Sequence, residues 1–450
     1  MKRKRIILFM TGGGILAISL AFQGWCGRFP KPGSNEMVGK VKDRTSSPVL
    51  LSESDWRFLE RCQRRAVDFF LHEADRQTGL VKDRANNFHP DRRTLSSIAA
   101  TGFGLAALPV AVEHHWISRQ DAYQRALTTL RFAYHQMPNV HGWYYHFVNM
   151  HTGRRAGRSE LSSIDTILFV AGALVAGQYF PDTEVATLAD RIYRRIDFNW
   201  MRTDGGTKPD ELRLCMAWRP ETGFSKARWG SYCELMVLYI LAMGSPTHPI
   251  PAASWTAWRR PIGEYKGYRS FRCSPLFVHQ FSHAFIDFRG KRDRLGFNYW
   301  QSSVAATLAD HQFCQDNAGK FKTFALGLWG LSACDGPDGY RAYGAPPGRV
   351  RCDGTVAPWA VAASVPFAPK LCVQTLRRMD TLFHDKLWGR YGFSDALNVD
   401  RDWWDQDVIG IDLGAAVLMI ENARTGLIWR LFMANPFVQA GMQKAGFHCE

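Results

Sequence analysis

The chain has 450 residues, 46% of them hydrophobic and 22% charged, which is enough to bury a sizeable core and excludes a disordered polypeptide. Its formal net charge of +15 favours anionic surfaces. No nucleic-acid-binding motif or basic run occurs in the body of the chain, so no nucleic-acid partner is expected. The 16 Trp, 14 Tyr and 29 Phe exceed what a core needs, and Trp and Tyr faces stack on the C–H faces of sugars as well as on each other. The ten cysteines form no CxxC and no zinc-type spacing, so no metal scaffold is expected, and their spacing does not encode a pairing.

In chain order, Met1-Lys2-Arg3-Lys4-Arg5 precedes an apolar run at 6–22 and reads as a secretory signal, with Ser19-Leu20-Ala21 as the cleavage pattern. An uncleaved N-terminal membrane anchor is the alternative, and either form places the body in the periplasm or outside the cell. Residues 22–54 carry Pro30, Pro32, Gly33, Ser46, Ser47 and Pro48 and read as a linker. From Asp55 the spacing becomes helical through Leu71, with Ser54 or Asp55 as the N-cap. Helix-length apolar segments recur at 97–112, 118–135, 162–179, 183–196, 231–243, 302–313, 355–363 and 412–424. Long loops rich in Gly, Pro, Trp, His and Asp separate them, notably 141–161, 202–230, 244–280 and 335–355. Loops of this length in a helical domain usually carry function. Convincing alternating strands are few, and the best short one is Trp143-Tyr144-Tyr145-His146-Phe147. The pattern predicts one all-α domain over 55–450, a toroid of six helical hairpins, (α/α)6, with loops forming a cleft at one end.

Two acidic stretches stand out as sources of chemistry. Arg228-Trp229-Gly230-Ser231-Tyr232-Cys233-Glu234 runs straight into Leu235–Met243, a segment apolar on every side that must be buried all round as a helix. A carboxyl at the mouth of such a helix is a candidate general acid, because desolvation raises its pKa. The competing reading is a capping box, Ser231-x-x-Glu234, in which the carboxylate only satisfies a backbone N–H. Ser162-Ser163-Ile164-Asp165 poses the same choice, and Glu160 lies in the loop before it. Glycoside hydrolysis needs two carboxyls flanking one bond, and carboxyls at the mouths of different buried helices are placed for that.

Around these, Trp143, His146, Trp229, Tyr232 and Tyr343 supply aromatic faces and imidazole donors suited to a hydroxyl-rich ligand. Trp404, Asp405 and Asp407 in Asp402-Trp403-Trp404-Asp405-Gln406-Asp407 read as a sugar-binding rim. His279 and His283, with Asp287 four further on, would share one helical face. The Glu of a His-Glu-x-x-His zinc motif is absent, so hydrogen bonding to ligand or core is the preferred role for both histidines.

These residues resemble a known family. Ser96-Ser97-Ile98-Ala99-Ala100-Thr101-Gly102-Phe103-Gly104-Leu105, Trp218-Arg219-Pro220-Glu221, Gly244-Ser245-Pro246-Thr247-His248-Pro249, Pro275-Leu276-Phe277-Val278-His279-Gln280-Phe281-Ser282-His283, Asp335-Gly336-Pro337, Asp353-Gly354-Thr355 and Ile409-Gly410-Ile411-Asp412 look like signatures of the bacterial glucoamylase-like domain of glycoside hydrolase family 144, the endo-β-1,2-glucanases. The resemblance covers about residues 55–448. It implies an (α/α)6 toroid, a monomeric protein, and an anomer-inverting endo-hydrolysis of linear β-1,2-glucan to short sophoro-oligosaccharides without a cofactor or metal. Carried onto this chain, Glu234 is the general acid, and Asp165 or Glu160 positions or activates water, with Asp407 behind them. Exo action, transglycosylation and non-catalytic glucan binding are the competing readings. Asn149 and His151 depart from the acidic residues expected in their loop.

Overall fold

The computed structural model describes residues 51–450. The signal or anchor at 1–21 and most of the linker lie outside the described residues. The first helix, α1 (Glu53–His72), starts two residues before the expected point: Ser52 is the N-cap and forms a capping box with Asp55. Asp55 thus belongs to the first turn, where its carboxylate accepts from the cap.

The other helices follow as α2 (Ile98–Glu113), α3 (Arg119–His135), α4 (Ser163–Tyr179), α5 (Glu184–Arg194), α6 (Phe198–Thr203), α7 (Met236–Gly244), α8 (Phe281–Phe285), α9 (Tyr299–Asp316), α10 (Lys322–Ala325), α11 (Pro358–Ala363), α12 (Pro369–Leu387), α13 (Gly410–Arg424), α14 (Leu427–Ala434) and α15 (Pro436–Ala445). They fall into two kinds. Helices α2, α4, α7, α8, α11 and α13 are buried over nearly their whole length. Helices α1, α3, α5 and α12 bury one stripe only.

The buried set packs in sequence. Helix α2 lies on α4, α4 on α7, α7 on α8, α8 on α13, and α13 on both α11 and α2. Gln280, beside α8, donates from Nε2 to the Ala360 carbonyl of α11 at 2.8 Å. Striped helices cover the outside: α1 on α13 and α2, α3 on α2 and α5, α5 on α4, α12 on α11. Helix α12 escaped the sequence reading because Cys372, Val373, Leu376 and Met379 form a narrow apolar stripe among charges rather than an apolar run.

Short antiparallel ladders sit where the buried helices begin. Leu95–Ser97 pairs with Phe147–Asn149 and leads into α2. Leu161–Ser162 pairs with Ala217–Arg219 and leads into α4. Asp407–Ile409 pairs with Arg84–Asn86 and leads into α13. The stretch expected as one strand splits, Trp143–Tyr144 pairing with Asn139–Val140 and Phe147 with Ser97. Among the described residues no helix is long and apolar enough to cross a membrane, and the nine cysteines are free thiols.

Helices α2 and α4 meet through glycine. A Cβ on Gly172 of α4 would stand 1.8 Å from the Gly102 carbonyl oxygen of α2, so the two backbones touch. Replacing Gly172 with Ala forces them apart, and overpacking of this kind costs roughly 1–3 kcal/mol. Gly172→Ala should lower the denaturant midpoint accordingly; an unchanged midpoint would show that α2 and α4 are not held this tightly.

Candidate active site

A cleft lies at the N-terminal ends of α4, α7, α8 and α13. Its walls include Ile164, Asp165 and Leu168, Glu234, Phe277 and Phe281, and Ile411 and Asp412. Trp229, His146, Glu160 and Arg219 complete one side, and Asp83, Arg84 and Tyr340 another.

Glu234 does not cap a helix. Helix α7 starts at Met236, and its N-cap, Leu235, makes no side-chain cap bond. The chain is instead fixed by the Ser282 hydroxyl, which donates to the Glu234 carbonyl at 2.6 Å, and by Tyr232 N–H donating to the Arg259 carbonyl. The carboxyl is left facing the cleft from an apolar wall. Burial pushes its pKa up to about 7, the negative charge of Asp165 adds to the rise, and its own backbone N–H and Cys233 oppose it.

Glu160 is held in the opposite state. His146 is buried between Glu160, whose Oε1 lies 3.0 Å from Nδ1, and Asp165, whose Oδ1 lies 3.5 Å from Nε2. Burial alone would lower the imidazole pKa, but the two carboxylates outweigh it and hold His146 at about 8. Glu160 also receives Arg219 Nη2 at 2.9 Å. Burial would raise its pKa, yet His146 and Arg219 bring it down to about 2. Asp165 plays two parts: its backbone N–H donates to the capping Ser162 hydroxyl, which in turn donates to its Oδ2, while Oδ1 faces His146.

Three other expected site residues are placed as follows. Trp229 lines the cleft and donates from Nε1 to Ser163 Oγ at 2.8 Å. Trp404 is half-buried beneath Lys386, with Nε1 donating to Asp402. Asp407 accepts both guanidinium nitrogens of Arg93 at 2.6 and 2.7 Å and is not among the cleft-lining residues.

The remaining expected ligand contacts lie in the core. Trp143 is buried with Nε1 donating to the Asp197 carbonyl, and Tyr343 is buried with its hydroxyl donating to Asp353. Tyr232 stacks on Phe271 and its hydroxyl meets His279 Nδ1 at 3.1 Å. His279 and His283 do not share a helical face, because a 3-10 turn ends at His279 before α8 begins at Phe281. Burial lowers them to about 4 and about 3 respectively, so both are neutral core groups. Asp405 is buried behind the cleft rather than on its rim. The sequence reading left out Asp412, Arg219 and Tyr340. Asp412 had a signal: it is the third residue of α13, the position Asp165 holds in α4, and each follows a strand and an Ile.

This architecture is similar to that of proteins described as glucoamylase-like. Residues 226–436 match the family described as "Putative glucoamylase". Among solved structures, the chain is similar to one from Bacteroides uniformis described as a putative glucoamylase, with a TM-score of 0.82 and 29% identity over 89% of this chain and 99% of that one. It is also similar to a Chitinophaga pinensis endo-β-1,2-glucanase in complex with sophorotriose and glucose, with a TM-score of 0.81 and 27% identity over 89% and 99% of the two chains. A curated relative from Parabacteroides distasonis, an exo β-1,2-glucooligosaccharide sophorohydrolase (non-reducing end), is 25% identical over 89% of this chain. The chain spans 59% of that relative's length.

The His146 arrangement fixes a pH window. Its contribution to stability is complete below the ordinary imidazole value of 6.5 and is lost as pH rises through about 8. That of Glu160 is complete above 4.5 and is lost as pH falls through about 2. Glu160→Gln should therefore destabilise the chain most between those windows and lower the His146 pKa by roughly one unit or more. Imidazole titration followed by NMR checks this, and an unshifted His146 would rule out the clamp.

Proposed function

We propose that this chain is a glycoside hydrolase acting on linear β-1,2-glucan by a two-carboxyl, anomer-inverting mechanism. The observation that carries the reading is Glu234, a carboxyl freed from capping, set in an apolar wall and holding its proton near neutrality. In that state it can protonate the glycosidic oxygen as the bond breaks. Asp165 is the better base: Glu160 is tied to both His146 and Arg219, whereas Asp165 presents its carboxylate to the cleft with its orientation set by Ser162 and His146. A water held by Asp165 would attack the anomeric carbon from the face opposite the leaving group. Glu160 then acts as a positioning residue that keeps His146 charged.

The ring of buried helices with striped helices outside supports the (α/α)6 toroid. Endo cleavage is favoured because the Chitinophaga pinensis endo-glucanase is matched over nearly its whole chain. Exo release of sophorose is the second reading, on the strength of the Parabacteroides distasonis relative. Export through the N-terminal apolar segment completes the proposal.

Incubating the full chain with linear β-1,2-glucan and following product size and optical rotation tests it. Short oligomers of mixed length with inverted configuration are expected; sophorose alone would mean exo action, and no cleavage would overturn the hydrolase reading. Glu234→Gln should reduce kcat by about 100-fold or more. The wild-type rate should fall as pH rises through about 7, where Glu234 loses its proton, and a flat alkaline profile would remove it as the acid.

A further inference from the structure

Helix α7 lacks the cap that its own segment could have supplied. Its N-cap is Leu235, which makes no side-chain bond, and its hydrogen-bond ladder opens with the Tyr239 N–H donating to the Leu235 carbonyl. A cap side chain ordinarily accepts from the second or third N–H of its helix. Here that acceptor comes from another helix: the N–H of Val237, second residue of α7, donates to Ser282 Oγ at 3.1 Å. The same hydroxyl gives its own proton to the Glu234 carbonyl at 2.6 Å, and Ser282 is fully buried. One hydroxyl thus ties down both the Glu234 peptide and the first turn of the helix that follows it.

Ser282 can do this only if α8 keeps its place, and α8 is five residues long. Bonds to four other helices hold it. Asn422 of α13 donates to the Ala284 carbonyl at 2.8 Å, and Trp429 of α14 donates to the His283 carbonyl at 2.7 Å. Ser303 of α9 meets His283 Nε2 at 3.0 Å, and Gln280, just ahead of α8, donates to the Ala360 carbonyl of α11. The Glu234 peptide is consequently located by the frame of buried helices and not by its own turn.

We propose that Ser282 is the positioning residue for the acid: its hydroxyl replaces the capping box that Ser231 and Glu234 would otherwise form, and so keeps the Glu234 carboxyl turned into the cleft. The assignment rests on Glu234 being the group that protonates the glycosidic oxygen. Asp165 shows the other solution, since its capping serine, Ser162, lies on its own segment and stays bonded to its carboxylate. Without the Ser282 hydroxyl the Glu234 peptide is released and the first turn of α7 loses its acceptor, so the Ser231-x-x-Glu234 box becomes the available replacement. A carboxylate bonded to backbone N–H at a helix N-terminus is favoured in its charged form, which is the wrong state for an acid.

The titratable groups facing Glu234 are Asp165 of α4, Cys273 ahead of the 3-10 turn, and Tyr232 and Cys233 on its own segment, and Ser282→Ala removes none of them. In that variant the alkaline limb of kcat on linear β-1,2-glucan should move down from about 7 by about one unit or more, with kcat at neutral pH about fivefold lower and KM within about twofold. Ser282→Thr retains the hydroxyl and should return both values. Thr375→Ala, which instead orphans the buried Trp329 indole N–H, should lower the thermal midpoint and leave the limb in place. The Glu234 carboxyl, titrated by NMR in protein carrying isotope-labelled glutamate and no substrate, should show the same downward shift in Ser282→Ala. If that variant does not fold, Ser282→Cys, whose thiol fills similar space and bonds weakly, is read in the same way. An unmoved carboxyl, or an equal shift in Thr375→Ala, would overturn the inference. A shifted carboxyl in a chain that cleaves no glucan would uphold the placement of Glu234 and overturn the hydrolase reading alone.

Discussion

Backbone contact between buried helices is the constraint on which the cleft depends. Gly102 and Gly172 let α2 and α4 meet without side chains between them, and Gly244 and Gly441 do the same for α7 and α15, where a Cβ on either would stand 2.0 Å from a carbonyl oxygen of the other helix. Helices packed this closely have little freedom to rotate or slide, because interiors are dense and transmit displacement. Their first turns are consequently fixed, and those turns carry Asp165 and Asp412, with Glu234 just ahead of α7.

Within that frame, environment rather than residue type sets chemistry. Glu234 and Glu160 are the same side chain a short way apart on one cleft. The first has an apolar wall and a negative neighbour, Asp165; the second has an imidazolium and a guanidinium. Their proton affinities are driven apart by these surroundings, which is how one site can offer an acid and an anion at the same pH. His146 links the two sides, since the charge that steadies Glu160 also faces Asp165.

The buried helices were legible because an apolar segment with no polar face has only one place to go. Ser162 and Asp165 showed why local patterns leave function open: the capping bond and the cleft-facing carboxylate coexist in one residue. Ser231 and Glu234 match the same pattern, yet the helix begins later because Ser282 and Arg259, distant in sequence, hold the preceding turn. Trp143, Tyr232 and Tyr343 read as sugar platforms because composition does not tell an inward aromatic from an outward one. Each proved to spend its polar atom on a core partner. Arg219 was visible only as part of a motif, since its ion pair with Glu160 joins two strands whose pairing is not written in either.

The short ladders that precede α2, α4 and α13 have a further consequence. Each joins a strand leading into a helix to a strand from a loop, so the loops hang from hydrogen bonds while the helices hang from packing. The loop strands Arg84–Asn86, Phe147–Asn149 and Ala217–Arg219 therefore meet the helix mouths through backbone hydrogen bonds, and Arg219 adds its ion pair with Glu160. Packing thus holds the carboxyls of the helix mouths on one support, and strand pairing holds the loops around them on another.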